Sequence, residues 1–210
     1  MQSVRLAIYG AISLGVALYV REAVRAFVIV RQGDLLPKLH GRFPPKPKAM
    51  FDPFGTLLLP ILLLFVLAVT GSGIPFAYAK PFPRDEGRFE SRRRVVLAAL
   101  AGPAANAACT AIAGLALRAG MTGEVQSALE MFLIVNAFMA VFQLMPIPGL
   151  DGAEIIALSL DREVRTAYLN AGRYLALFML LVFFMLVTLV MPLALALMEY
   201  LCRLLAGRSC

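Results

Sequence analysis

Arg21-Glu-Ala-Val-Arg25 is the stretch of this chain whose residue types and spacing ask for a chemical explanation. Two guanidinium groups stand four residues apart on one helix face, with a carboxylate, Glu22, beside the first. The run around them, Ala7 to Val30, is otherwise apolar. Charges inside such a run are rare, face the protein interior and mark function. The spacing is that of a His-Glu-x-x-His motif, in which two imidazoles one helical turn apart bind zinc and the glutamate is the general base. Here guanidinium groups replace both imidazoles. They stay protonated and have no lone pair to offer a metal. The plain alternative is that both arginines end a short first span and extend their heads to the interface.

A second carboxylate, Asp151, stands in the turn Met145-Pro-Ile-Pro-Gly-Leu-Asp-Gly152. Taken alone it reads as a helix cap or a turn residue. Gly102, Asn106 and Asn136 read as close helix packing and buried polar contacts. His40 is the one histidine, so no site can take two imidazoles from this chain. Cys109, Cys202 and Cys210 have no paired spacing and imply neither a disulfide framework nor a cysteine zinc site.

The elements that must position these groups are membrane helices. The chain of 210 residues is 60% hydrophobic, with a mean hydropathy of +0.81 and no Trp, outside the range of soluble domains. A spanning helix needs about 20 mostly apolar residues. Five segments come near that: Ala7–Val30, Thr56–Val69, Val95–Leu117, Ala128–Leu144 and Tyr174–Met198. No small-residue cleavage site follows the first, which is expected to be retained. The expected fold is all-α and polytopic, with about five transmembrane segments. It is a single membrane domain over 1–210, with a core at 15–155 and C-terminal amphipathic and transmembrane helices at 156–210.

Gly33 is expected to cap the first helix. The connection 35–53 is rich in proline, so any strand there must be short or at an edge. Residues 153–173 are mixed and charged, and read as one short amphipathic surface helix. The net charge of +7 lies in loops beside apolar runs, which points to membrane flanks and excludes a nucleic-acid partner. One connection carries Arg31, Lys38, Arg42, Lys46 and Lys48; the next carries Lys80, Arg84, Arg88 and Arg92–Arg94. If the second segment spans, these lie on opposite sides and the positive-inside rule cannot orient the chain. A re-entrant second segment would remove the conflict.

Four motifs follow in order: Arg21-Glu-Ala-Val-Arg25, Asp52-Pro-Phe-Gly-Thr56, Ala101-Gly-Pro-Ala-Ala-Asn106 and Pro146-Ile-Pro-Gly-Leu-Asp-Gly152. Gly33-Asp34, Gly41-Arg42 and Ala79-Lys-Pro81 add to them. Together they resemble the site-2 protease family of intramembrane zinc metalloproteases, over roughly residues 15–155. The resemblance implies that Glu22 holds the general-base position and that Arg21, Arg25 and Asp151 hold the three ligand positions. It implies a substrate or partner groove at Asn106, Asn136 and Gln143. An open metal position would there acidify a water for attack on a peptide carbonyl.

The departures from the family pattern are several. Arginine stands at both histidine positions, Gln143 replaces an asparagine, and Met50 stands where a histidine is usual. Prolines interrupt Gly41-Arg-Phe-Pro-Pro-Lys-Pro47, the edge that would pair with a peptide. The expected function is therefore that of a non-catalytic homologue without a cofactor, one that binds or regulates membrane proteins from a multi-pass position in the cell membrane. Its expected partners are the lipid bilayer and a transmembrane protein. An ion-pair network of Arg21, Glu22, Arg25 and Asp151 is expected in place of the metal, since two cations and two carboxylates sum to zero. One alternative is an active metalloprotease holding zinc on carboxylates such as Asp151, Glu154, Asp52 and Glu22. The other is a small transport or channel subunit.

Overall fold

The computed structural model describes residues 2–70, 75–80, 91–174, 196, 199, 200, 203 and 204. Among the described residues α-helices run in the order α1 (Gln2–Arg31), α2 (Leu36–Leu39), α3 (Pro47–Met50), α4 (Leu59–Thr70), α5 (Arg92–Arg118), α6 (Gly123–Phe142), α7 (Asp151–Ala157) and α8 (Arg162–Asn170). A wider π-helical turn, Pro53–Leu58, leads into α4, and a 3-10 turn, Ala171–Tyr174, follows α8. The described residues contain no strand. Helices α1, α5 and α6 are long and apolar enough to cross a bilayer, and the run 53–69 is a shorter apolar helix. The protein is an all-α, polytopic membrane protein. The expected last span, 174–198, lies outside the described residues except for Tyr174 and Ala196.

Helix α5 is the centre of the bundle, packing against both α1 and α6. Its direction is opposite to α1, because Ala98 near its start packs with Ala26 and Ile29 near the end of α1. Arg5 and Tyr9 of α1 both donate to Glu124, so α6 starts beside the start of α1 and runs parallel to it. Buried Phe76, Phe138 and Phe142 form an aromatic cluster beside α6, with Phe76 and Phe142 centroids 4.3 Å apart.

The second apolar segment goes out and comes back. Asp52 caps its start, accepting from Phe54 N at 3.1 Å and Gly55 N at 2.7 Å. Leu64 and Leu67 lie against Gly10 of α1, and so does Pro75. From there residues 75–79 run extended and buried until Lys80 N donates to Met50 O at 2.9 Å. The chain leaves this level at Met50 and has returned to it by Lys80.

The proline-rich connection 35–53 holds no strand; its α2 and α3 are single helical turns, each with a proline in its first two positions, where the missing N–H costs nothing. Residues 153–173 are not one surface helix. α7 begins at Asp151 and is largely buried, and a turn at 158–160 separates it from the amphipathic α8. The acids of α7 looked like surface residues because their partners lie far away in sequence. Gly33 does cap α1, at φ +90°.

Gly152 is where the fold tolerates no side chain: a Cβ there would lie 2.0 Å from the Leu144 carbonyl oxygen. Gly15 in α1 has nothing within 4 Å of the same position. Gly152→Ala is expected to destabilise the protein by at least about 1–3 kcal/mol, the cost of forced backbone shifts. Gly15→Ala is expected to leave thermal unfolding in detergent unchanged or slightly raised. Equal midpoints for the two variants would contradict this close approach.

Candidate functional site

Helix α1 carries Arg21, Glu22 and Arg25 to the middle of the bundle, where each is less than 5% exposed. The end of α6 brings Gln143, and the first turns of α7 bring Asp151 and Glu154. Acidic residues at a helix start face the positive end of the helix dipole, so Asp151 and Glu154 are favoured where they stand. Arg42 arrives from the connection between α2 and α3, just past Gly41, whose φ of +66° turns the chain inward.

These side chains form a linear ladder of alternating charge. Arg42 Nη1 donates to Glu22 Oε2 at 2.8 Å, and Arg21 Nη1 donates to the other oxygen, Glu22 Oε1. Arg21 Nη2 reaches Asp151 Oδ2 at 2.7 Å, and Arg25 Nη1 donates to Asp151 Oδ1. Arg25 Nη2 ends the ladder on Glu154 Oε1 at 2.6 Å. Arg21 Nη2 also lies 3.1 Å from Gln143 Oε1, and Arg42 Nη2 donates to Lys80 O at 2.5 Å. Asp151 is fully buried and gives one oxygen to each of two guanidinium groups. Three cations alternate with three carboxylates, so the formal charge is zero.

Gly102 of α5 leaves room for this ladder. A Cβ there would lie 2.9 Å from Arg21 Cγ and 3.1 Å from Asp151 Oδ2. Burial pulls the Arg42 pKa down from its ordinary value, and Glu22 opposes that pull.

The structure thus brings together Arg21, Glu22, Arg25, Asp151 and Gln143. Asn106 is fully buried on α5, one turn beyond Gly102, and its side-chain amide has no partner among the described residues. Asn136 turns to its own helix, donating to Phe132 O at 2.8 Å. Sequence reasoning missed Arg42 and Glu154 as members of the ladder. Glu154 had a signal, since it lies three residues after Asp151 on the same helix face. Arg42 had a weaker one, as one basic residue in a basic connection.

Fold and sequence together define a multi-pass helical membrane protein with weak homology to a zinc metalloprotease. Over 177 residues the chain is 28% identical to "Putative zinc metalloprotease YwhC" of Bacillus subtilis (strain 168), an alignment covering 79% of this chain and 75% of that protein. No family model and no solved structure matches the chain.

Removing one member of a buried charge network leaves its partners charged and unpaired, which costs about 3–5 kcal/mol. Asp151→Ala takes one carboxylate from Arg21 and Arg25, which keep Glu22 and Glu154, and leaves three buried cations facing two carboxylates; it is expected to lower stability by that amount, read as a large fall in the thermal midpoint in detergent. A midpoint within a degree or two of wild type would show that Arg21 and Arg25 do not depend on this carboxylate.

Proposed function

We propose that the chain is a site-2 protease-type scaffold without metal chemistry, which binds or regulates other membrane proteins in the cell membrane. One observation carries this reading: the guanidinium groups of Arg21 and Arg25, at the motif's two imidazole positions, both close on Asp151, at its third ligand position.

Zinc does not fit the residues present. Arginine has no donor lone pair; of the carboxylates that would remain as ligands, Glu22, Asp151 and Glu154 are each engaged by a guanidinium group, and Asp52 caps the π-helical turn. Among the described residues no three His, Cys, Asp or Glu side chains converge as a metal site would require. The general-base position supports the same reading. Both oxygens of Glu22 accept from arginines, one from Arg21 and one from Arg42, so the carboxylate is already engaged as an ion-pair partner. No hydrolytic step is derived through this site.

What the scaffold retains is a way of holding helices. On this reading Asn106, Asn136 and Gln143 line the place where a transmembrane partner lies, with Gln143 tied to the ladder through Arg21. The homology to a protein named as a zinc metalloprotease supports the scaffold, and the residue chemistry at positions 21 and 25 supports the loss of its metal.

The test is the zinc content of detergent-purified wild type and of Asp151→Ala, measured side by side. Both are expected to hold well below one zinc per chain. Close to one equivalent in the wild type, lost in Asp151→Ala, would overturn the proposal in favour of an enzyme with unusual ligands.

A further inference from the structure

The out-and-back path of the second segment places both basic connections at one end of the bundle. Arg31 closes α1, Lys38, Lys46 and Lys48 follow it, and Lys80 returns to Met50 through a backbone hydrogen bond. Helix α5 opens with the run Arg92–Arg94, and its opposite direction puts that run beyond the end of α1, past the Ala98 contact with Ala26 and Ile29. All these basic side chains are exposed. Two acids on the same described stretches, Asp34 and Asp52, accept from backbone N–H groups and keep their charge, but those eight basic residues outnumber them. α8 adds Arg162 and Arg165 against Asp161 and Glu163, with no net charge.

The other end is different. There the described basic side chains are Arg5, paired with Glu124, Arg118 at the close of α5, and Arg203, paired with Glu199 beside the Leu204 carbonyl that accepts from Arg118. Lysine and arginine within about 15–20 residues of span ends set orientation, with the richer side held in the cytoplasm. A cluster of this size beside apolar helices matches the chemistry of anionic lipid headgroups.

We propose that this basic collar seats on the anionic headgroups of the cytoplasmic leaflet and fixes the orientation of the protein. The α2–α3 connection, Lys80 and α7–α8 then face the cytoplasm, and the start of α1 and the α5–α6 turn face the opposite side. The charge ladder, reached through Arg42 and α7, belongs to the cytoplasmic half of the bundle. The inference does not depend on whether the site is catalytic.

Single cysteines at Lys48→Cys, Arg93→Cys and Thr122→Cys, in a full-length chain with Cys109, Cys202 and Cys210 replaced by serine, test it with a membrane-impermeant maleimide. Thr122→Cys is expected to label in intact cells, and Lys48→Cys and Arg93→Cys only in inverted vesicles. The reverse pattern would overturn the orientation. Labelling of Lys48→Cys and Arg93→Cys from opposite sides would overturn the shared end. Trypsin on the unaltered chain gives the same reading without substitutions: cleavage after Lys48 is expected in sealed inverted vesicles and not in right-side-out ones, and the opposite result overturns the proposal. For the lipid itself, the thermal midpoint in nanodiscs is expected to rise when phosphatidylglycerol is added to phosphatidylcholine. That rise should vanish in a variant with Lys46, Lys48 and Arg92–Arg94 all changed to Gln. No rise in the wild type, or an equal rise in the variant, would sink the headgroup assignment.

Discussion

A carboxylate with no exposure, set between two guanidinium groups in an apolar helix bundle, is the constraint on which the rest of this structure depends. An unpaired charge at that depth is not tolerable, so every ionised side chain there needs an opposite one in contact. The ladder from Arg42 to Glu154 meets that need across three parts of the chain: α1, the α2–α3 connection and α7. Meeting it fixes geometry. The start of α7 must lie beside the middle of α1, the turn after α6 must approach closely enough that only Gly152 fits, and α5 must present Gly102 where any side chain would touch Arg21.

Charge balance links this arrangement to the metal site it resembles. A dication with two neutral imidazoles, a glutamate and an aspartate sums to zero. Two arginines facing Glu22 and Asp151 would also sum to zero, but the pairing extends one cation and one carboxylate further. Arg42 takes the second oxygen of Glu22, and Glu154 takes the second nitrogen of Arg25. Guanidinium groups account for the extension. A bound dication concentrates its charge at one point, whereas each guanidinium spreads its donors over a planar fork and can serve two carboxylates. A chain of alternating partners is the natural result, and at the Arg42 end it closes on the Lys80 carbonyl.

Much of this was legible in the sequence because it rested on local signals. The long apolar runs and the glycine after α1 follow from periodicity and turn chemistry, whereas the pairing of charges near Arg21 with the Leu-Asp-Gly turn was expected from the resemblance to a metal site. What was not legible depended on contacts between distant residues. Arg42 sits among prolines and lysines and looks like any flanking cation until the chain folds it onto Glu22, twenty residues earlier. Helix α7 read as a surface element because its acids count as polar in any window average. They are buried because arginines from α1 meet them, a tertiary effect no window contains. The return of the second segment was legible only as a way out of a conflict between two basic loops; the fold brings Pro75 and Leu64 together against Gly10, a contact between distant residues.

The ladder is better understood as a device for position than as a source of stability. Removing charges from water costs several kcal/mol per ion, and mutual attraction recovers that only when every partner is in place. The net gain over an apolar core of equal volume is therefore small or negative, while the loss on removing one member is large. That asymmetry penalises any packing of α1 against α7 shifted by a turn. Such a shift would put Arg21 where Arg25 belongs and leave a charge without a partner at one end. Apolar helices in a bilayer gain little from one register over another, because lipid tails are as apolar as leucine. In this bundle the alternating charges supply the discrimination that a hydrophobic interface cannot, and that is a sufficient physical reason for six ionised groups to persist at its centre whether or not any chemistry is done there.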